Sequence, residues 1–323
     1  MKKQTKGTLL NDISNYLGLR PFVARTYYLS DRPKGILLAL LTATISGVAI
    51  FYSKLSLIKI DPLILATSRN LYVAVLFILL FVFSKRFEEL RQLKRKDLFY
   101  LVLIGIIGGS IPFYLFFTGL QFVNPQTANL IHKSLFIWVS LLAVIFLKER
   151  LNLMAMIAFL LVFLGIYYFN RIPFQLGKGE TMILTATLLW SGENILAKKV
   201  LAKVSSELAG LFRMGLGSII LLITVIMTGN ISKLLTINNQ QLTIIVTGGT
   251  ILFFYVHFWF KALKYAPASL VSLVLTFSVV VGSILNGTFA GVKILPKDIY
   301  SSLLIFMAAV SILTSQMSFR KIK

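Results

Sequence analysis

The sequence predicts an all-α integral membrane protein with ten transmembrane helices, arranged as two inverted five-helix repeats with both termini cytoplasmic. Three observations predict it. The 323 residues are 57% hydrophobic and only 14% charged, with a mean hydropathy of +0.84, well beyond what a water-exposed surface tolerates. Mostly apolar windows of about 20 residues, enough to cross roughly 30 Å of hydrocarbon, recur along the chain with short connections between them. Similar strings also return far apart, LTATISG from Leu41 and LTATLLWSG from Leu184.

Residues 1–34 precede the first span. They are too polar, and lack the small-residue cleavage site, for a secretory signal peptide. Leu9, Leu10, Ile13, Tyr16 and Leu17 fall at helical spacing and predict a short amphipathic helix on the membrane surface. Spans over 35–56, 62–83, 98–120, 125–147 and 152–169 form a first unit, 35–169. After a linker at 170–177, spans over 179–198, 207–228, 241–263, 267–287 and 297–318 form a second unit, 178–319, followed by a short basic tail at 320–323. Cysteine is absent, which excludes disulfides, thiolate metal sites and cysteine nucleophiles.

The net charge of +22 matters through its placement. With the N-terminus inside, and residues within two positions of a span end counted with the adjoining segment, 23 of the 33 Lys and Arg residues fall in cytoplasmic segments and 7 in outer ones, the asymmetry that orients a membrane protein. The basic run KRFEELRQLKRK, Lys85 to Lys96, then faces anionic lipid headgroups, and no nucleic-acid partner is expected.

The duplication can be aligned residue by residue. SGVAIFYSK over SGENILAKK pairs Ser46 with Ser191, Gly47 with Gly192 and Lys54 with Lys199, and Arg69 falls one residue out of register with Arg213. GIIGGSIPFYLFFTGL over GGTILFFYVHFWFKAL pairs Gly105 with Gly248, Phe117 with Phe260 and Leu120 with Leu263. A unit with an odd number of crossings is turned over when copied, so the repeat is inverted. Such repeats are common in secondary transporters, with the substrate between the halves near the midplane.

The two halves resemble the paired EamA domains of the drug/metabolite transporter superfamily. The resemblance is carried by Arg69, Arg213 and GLQFVNPQTANLIHKSLFIWVSLLAVIFLKERLNL, Gly119 to Leu153, with its Lys148-Glu149-Arg150-Leu151 turn, and by ALKYAPASLVSL at 262–273. The second half departs from the pattern at Val292, where the family often has Glu. The resemblance implies a ten-helix carrier working by alternating access on a small molecule. It implies no particular substrate, since members carry amino acids, drugs, nucleotide sugars and other metabolites.

Ionisable groups inside a span are costly, so each needs a reason. At about 1.5 Å of rise per residue, Arg69 lies roughly 10 Å below the outer face and Arg213 roughly 9 Å from the inner one. They are either anion or gate contacts exposed alternately, or long side chains snorkelling to the nearer interface. Lys133, roughly 11 Å deep, is beyond comfortable snorkelling. Its neighbour His132 points about 100° away on the helix, so one of the two serves function and the other structure. Glu193, the one acid in a span interior, lies roughly 18 Å from the outer face. It could bind a substrate ammonium, exchange protons as a coupling ion, or pair with a basic group, Lys133 being nearest in depth. Tyr114, Trp138, Trp190, Tyr255 and His257 are aromatic candidates for stacking on a substrate, alternatives to lipid-facing bulk and an interfacial belt. Gly105, Gly109, Gly215, Gly248, Gly287 and Gly291 are expected at close helix contacts.

Two transport readings follow, a carrier for a small metabolite such as an amino acid or similar zwitterion, and proton-coupled efflux of hydrophobic or cationic compounds. An intramembrane enzyme is disfavoured, because neither His132 nor His257 belongs to an H-E-x-x-H motif and no G-x-S-x-G elbow is present. No metal or cofactor is expected. The partners are a small-molecule substrate and the bilayer of a plasma or bacterial inner membrane, with the chain a monomer or a homodimer.

Overall fold

The computed structural model describes residues 20–151, 153–169, 177–289, 291, 293 and 295–321, all helix, turn or coil. The expected amphipathic helix before residue 20, nearly all of the 170–177 linker, Val292 and the last two residues of the tail lie outside them.

The helices are α1 Arg20–Ser56, α2 Pro62–Phe83, α3 Phe87–Arg91, α4 Arg95–Gly109, α5 Ile111–Phe122, α6 Pro125–Lys133, α7 Leu135–Leu147 and α8 Leu153–Phe169. They continue as α9 Lys178–Val200, α10 Ser206–Met227, α11 Ile231–Leu235, α12 Asn239–Tyr265, α13 Ala268–Leu275, α14 Ser278–Phe289 and α15 Pro296–Lys321. Among the described residues seven stretches are long and apolar enough to cross a membrane: Asp31–Ser56, Pro62–Phe83, Arg95–Phe122, Thr127–Leu147, Ser206–Met227, Asn239–Tyr265 and Ala268–Phe289. The protein is therefore an integral, multi-pass membrane protein. Helices α8, α9 and α15 occupy the other three expected spans.

Local chemistry sets the boundaries. Asp61 caps α2 by accepting from the Leu63 and Ile64 amides at 2.9 and 3.5 Å, with Pro62 opening the helix. Asn124 caps α6 from the Thr127 amide at 2.7 Å, again ahead of a proline, and Asn238 and Gln241 form a reciprocal capping box at the start of α12. The chain leaves α7 through Lys148, whose left-handed backbone (φ 53°, ψ 35°) ends the helix.

Three expected spans are interrupted part-way: α4/α5 at Ser110, α6/α7 at Ser134, and α13/α14 at Thr276-Phe277. The first break follows from Pro112, which lacks the amide that would bond the Gly108 carbonyl. The Gly108 carbonyl instead accepts from Trp190 Nε1 at 3.0 Å, and the Gly109 carbonyl accepts from Asn70 Nδ2 at 2.8 Å. Side chains of α9 and α2 thus satisfy backbone groups that no water could reach.

Helix α1 packs along α12, α13 and α14, whereas α9 packs along α4, α5, α6 and α7; α2 pairs with α10, and α8 with α15. Lys54 on α1 donates to the carbonyls of Leu120 and Val123 at 2.6 and 2.8 Å, closing the end of α5. Lys198 on α9 donates to Leu263 and Ala266 at 2.5 and 2.7 Å, closing the end of α12. The residue equivalent to Lys54 is thus Lys198 rather than Lys199, because the lysine must reach the end of the neighbouring helix. This spacing of 144 is the one that separates Arg69 from Arg213, so their one-residue offset vanishes.

Candidate functional site

A cavity opens where α1, α2, α5, α6, α9, α10 and α12 converge. Its walls include Ser46, Ala49, Ser53, Arg69, Phe113, Phe116, Phe117, His132, Trp190, Glu193, Asn194, Arg213, Gly248, Tyr255 and Trp259. It leaves about 70 Å³ for the centres of water-sized molecules, room for a few waters or a small solute.

The two arginines lie inside this cavity and do not snorkel; Arg69 is 3% exposed and Arg213 4%. Arg213 on α10 meets Glu193 on α9. Its Nε lies 3.0 Å from Oε1, off the hydrogen-bonding line, and its Nη2 donates to Oε2 at 3.3 Å. Nη1 of Arg213 has no hydrogen-bond partner. The rings of Phe113 and Phe260 cover the guanidinium with centroids 5.5 and 5.7 Å away. Arg69 on α2 has different company. Its Nη1 donates to Ser53 Oγ at 2.8 Å and its Nη2 to Ser56 Oγ at 3.0 Å, its Nε has no partner, and Phe117 and Tyr52 lie 5.5 and 5.7 Å from it. Among the described residues no carboxylate pairs with Arg69.

Two glycines make room for these charges. A Cβ at Gly248 would collide with the Arg69 guanidinium, and one at Gly108 would come 2.5 Å from Glu193 Cδ. The close-contact expectation also holds for Gly105, against Leu216 and Phe212, and for Gly109, against the Arg213 carbonyl. It fails for Gly215, whose nearest neighbour is Leu211 of its own helix, and for Gly291, which faces open space with φ +63°.

At the α6/α7 break His132 and Lys133 divide the labour. His132 lines the cavity, edge-on to Trp190 and Phe116. Lys133, 1% exposed, turns to α1, where Nζ donates to Ser46 Oγ at 2.9 Å and lies 3.2 Å from His132 Nδ1. The alternative pairing of Glu193 with Lys133 does not occur: Lys133 turns to Ser46 on α1, and Arg213 meets Glu193 instead.

Of the sequence candidates, Arg69, Arg213, Glu193, His132, Trp190 and Tyr255 share the cavity, and Lys133 joins it through Ser46. Tyr114 is 38% exposed and outside it. The Trp138 indole bonds Ser134 Oγ at 3.3 Å, and His257 stacks on Phe253 away from the cavity. Sequence reasoning missed Ser53 and Ser56, whose spacing of three puts both on one face of α1, and the Trp259 to Asn194 bond at 2.8 Å. Among the described residues no cluster of His, Cys, Asp or Glu could hold a metal ion.

A multi-pass helical bundle around a small, mostly apolar cavity that holds a few buried charged side chains is an arrangement that membrane transporters use. A sequence model of the EamA-like transporter family matches residues 33–171 and again 177–314. The chain belongs to the EamA-like transporter family. It is 26% identical over 186 residues to an uncharacterized transporter of Archaeoglobus fulgidus, covering 58% of this chain and 65% of that one. It is 27% identical over 161 residues to an uncharacterized transporter of Synechocystis, covering 47% and 46%, and 27% over 181 residues to one of Haemophilus influenzae, covering 54% and 58%. The matched region thus spans between about half and about two thirds of these relatives. A solved crystal structure superposes with a TM-score of 0.66 at 15% identity, over 90% of this chain and 99% of the other, a likeness of fold.

Proposed function

We propose that the protein is a secondary transporter that carries a small carboxylate-bearing metabolite, an amino acid or similar zwitterion first among them, by alternating access. The two halves, α1 to α8 and α9 to α15, are read as inverted repeats crossing the membrane ten times with both termini cytoplasmic. The like spacing of Lys54 with Lys198 and of Arg69 with Arg213 supports this, as does the two-fold pattern of helix pairing. Helices interrupted beside a central cavity are the usual place for a transported solute.

One observation carries the substrate class. The cavity holds one acid, Glu193, already engaged by Arg213, while the buried basic groups of Arg69 and Lys133 meet hydroxyls, aromatic faces and an imidazole but no carboxylate among the described residues. A buried cation without an anion is costly, and a substrate carboxylate would relieve that cost. Aromatic walls from Phe116, Phe117, Trp190 and Tyr255 would then hold the rest of the molecule.

On this reading three carboxylates of the first half close the cytoplasmic end. Glu89 accepts from the Ser205 amide at 3.1 Å, Asp97 meets Lys203 at 2.6 Å, and Glu149 accepts from the Ala268 and Ser269 amides at 2.8 and 3.1 Å. The cavity reaches instead toward the other end, through Ser53 and Phe117.

The test is thermal-shift binding with purified protein against amino acids, monocarboxylates, quaternary ammonium ions, nucleosides and sugar phosphates, followed by solute counterflow in proteoliposomes. A ligand at 100 times its Kd stabilises by about 2.7 kcal/mol. Stabilisation and counterflow by carboxylates or zwitterions support the proposal. Stabilisation by quaternary cations alone would replace it with the cation-efflux reading.

A further inference from the structure

The end of the molecule that bears the basic loops contains a second cavity, separate from the central one. Arg32 of α1, Leu147, the turn Lys148-Glu149-Arg150 and Pro267 enclose about 350 Å³. It adjoins another hollow that shares Arg32, Arg150 and Pro267 and continues over Leu151, Ala155, Leu270 and Ser269, whose hydroxyl is taken by Glu149. The joint site is thus polar and basic at its mouth and apolar along its floor. Lys148 and Arg150 line the mouth beside Arg32 and one acid, Glu149. That acid is already committed, since both Glu149 oxygens accept from the start of α13, and Ser269 Oγ adds a bond at 2.6 Å. Lys148 and Arg150 form no ion pair among the described residues.

The left-handed backbone at Lys148 turns the chain out of α7 so that residues 148–150 stand at the helix end, where hydrocarbon gives way to headgroups. Beyond them Leu153, Met154 and Met156 of α8 are 73%, 46% and 57% exposed, the apolar surface that acyl chains cover. We propose that this cavity is a binding site for one anionic phospholipid, its phosphate held by Lys148 and Arg150 and its glycerol and first methylenes lying over Leu151, Ala155 and Leu270. A soluble phosphate would satisfy the mouth but leave the apolar floor empty, so the shape selects the lipid. Charge attraction draws anionic headgroups to basic residues at such a surface, and the cavity adds a fixed place for one. The bound lipid sits directly against the Glu149 contact to α13, so its occupancy bears on that contact between the halves.

The test is native mass spectrometry of the full-length protein in detergent with added phosphatidylglycerol, phosphatidylcholine or inorganic phosphate. The expected result is one phosphatidylglycerol retained at low activation. Phosphatidylcholine and millimolar phosphate neither bind comparably nor displace it. The double substitution Lys148→Gln/Arg150→Gln is expected to lower retention at least fivefold. Arg91→Gln/Lys94→Gln, which removes the same charge elsewhere in the basic loops, and the charge-preserving Lys148→Arg/Arg150→Lys are expected to keep it. Equal retention in Lys148→Gln/Arg150→Gln, or equal loss in Arg91→Gln/Lys94→Gln, overturns the proposal in favour of bulk charge. Displacement by inorganic phosphate overturns it in favour of a soluble anion.

Discussion

Arg69 and Arg213 stand 144 residues apart in like places, each beneath the phenylalanine of its own half, Phe117 or Phe260, and each almost wholly buried. Their partners differ. Arg213 faces the Glu193 carboxylate, whereas Arg69 faces two serine hydroxyls, Ser53 and Ser56. The position equivalent to Glu193 in the first half is Ala49, at the same spacing, and Ala49 also lines the cavity. The difference teaches that one fold position can carry a closed ion pair in one half and, among the described residues, a cation with no carboxylate partner in the other. A closed ion pair fastens α9 to α10, and on the proposed reading the Arg69 cation on α2 is left for a ligand.

The largest effect should come from breaking the closed pair. Glu193→Gln leaves the Arg213 charge buried without an anion, and a loss of about 3–5 kcal/mol is expected from the unfolding midpoint in detergent. Adding Arg213→Met should restore much of that loss, because removing both charges avoids the stranded one; a merely additive double variant would deny the pairing. Next come the two glycines. Gly108→Ala and Gly248→Ala should each cost about 1–3 kcal/mol through overpacking. Only Gly248→Ala, which displaces Arg69, should also weaken a carboxylate ligand, as titration of each variant would reveal.

The smallest effect concerns pH and lies outside the membrane. Burial pushes the Glu89 carboxyl up, but hydrogen bonds from Ser205 and Arg86 and the Arg86 charge outweigh this and hold it below the ordinary carboxylate value. A group depressed on folding stabilises above its unfolded pKa and loses that contribution as pH falls through the folded value. Wild type should therefore lose more stability than Glu89→Gln between pH 6 and pH 3. Parallel pH curves for the two proteins would remove Glu89 from the contacts between the halves.

Much of this was legible in the sequence, for physical reasons. The expected spans coincide with helices because bilayer thickness imposes a long apolar period that few other structures produce. Arg69, Arg213, Lys133 and Glu193 stood out because charge in hydrocarbon is expensive. Their pairing was not legible. Depth along the axis suggested Lys133 for Glu193, and its helix α6 does pack on α9, but the Lys133 side chain turns to Ser46 on α1 while the long Arg213 side chain reaches Glu193 from α10. Ser53 and Ser56 were hidden because serine in a span normally bonds its own helix, as both also do, to Ala49 and Tyr52 at 2.6 and 2.7 Å. The break at Ser110 was signalled by Pro112, yet nothing local indicated that Trp190 and Asn70 would satisfy the carbonyls it freed.

The most direct measurement is the calorimetric affinity of Arg69→Gln for the carboxylate ligand that best stabilises the wild type. Glutamine removes the charge and keeps a neutral polar amide. A charge-assisted hydrogen bond worth about 1.5–3 kcal/mol should be lost, raising Kd by roughly 10- to 150-fold with little change in melting temperature. An unchanged Kd would mean that Arg69 is as structural as Arg213 and that the substrate binds elsewhere.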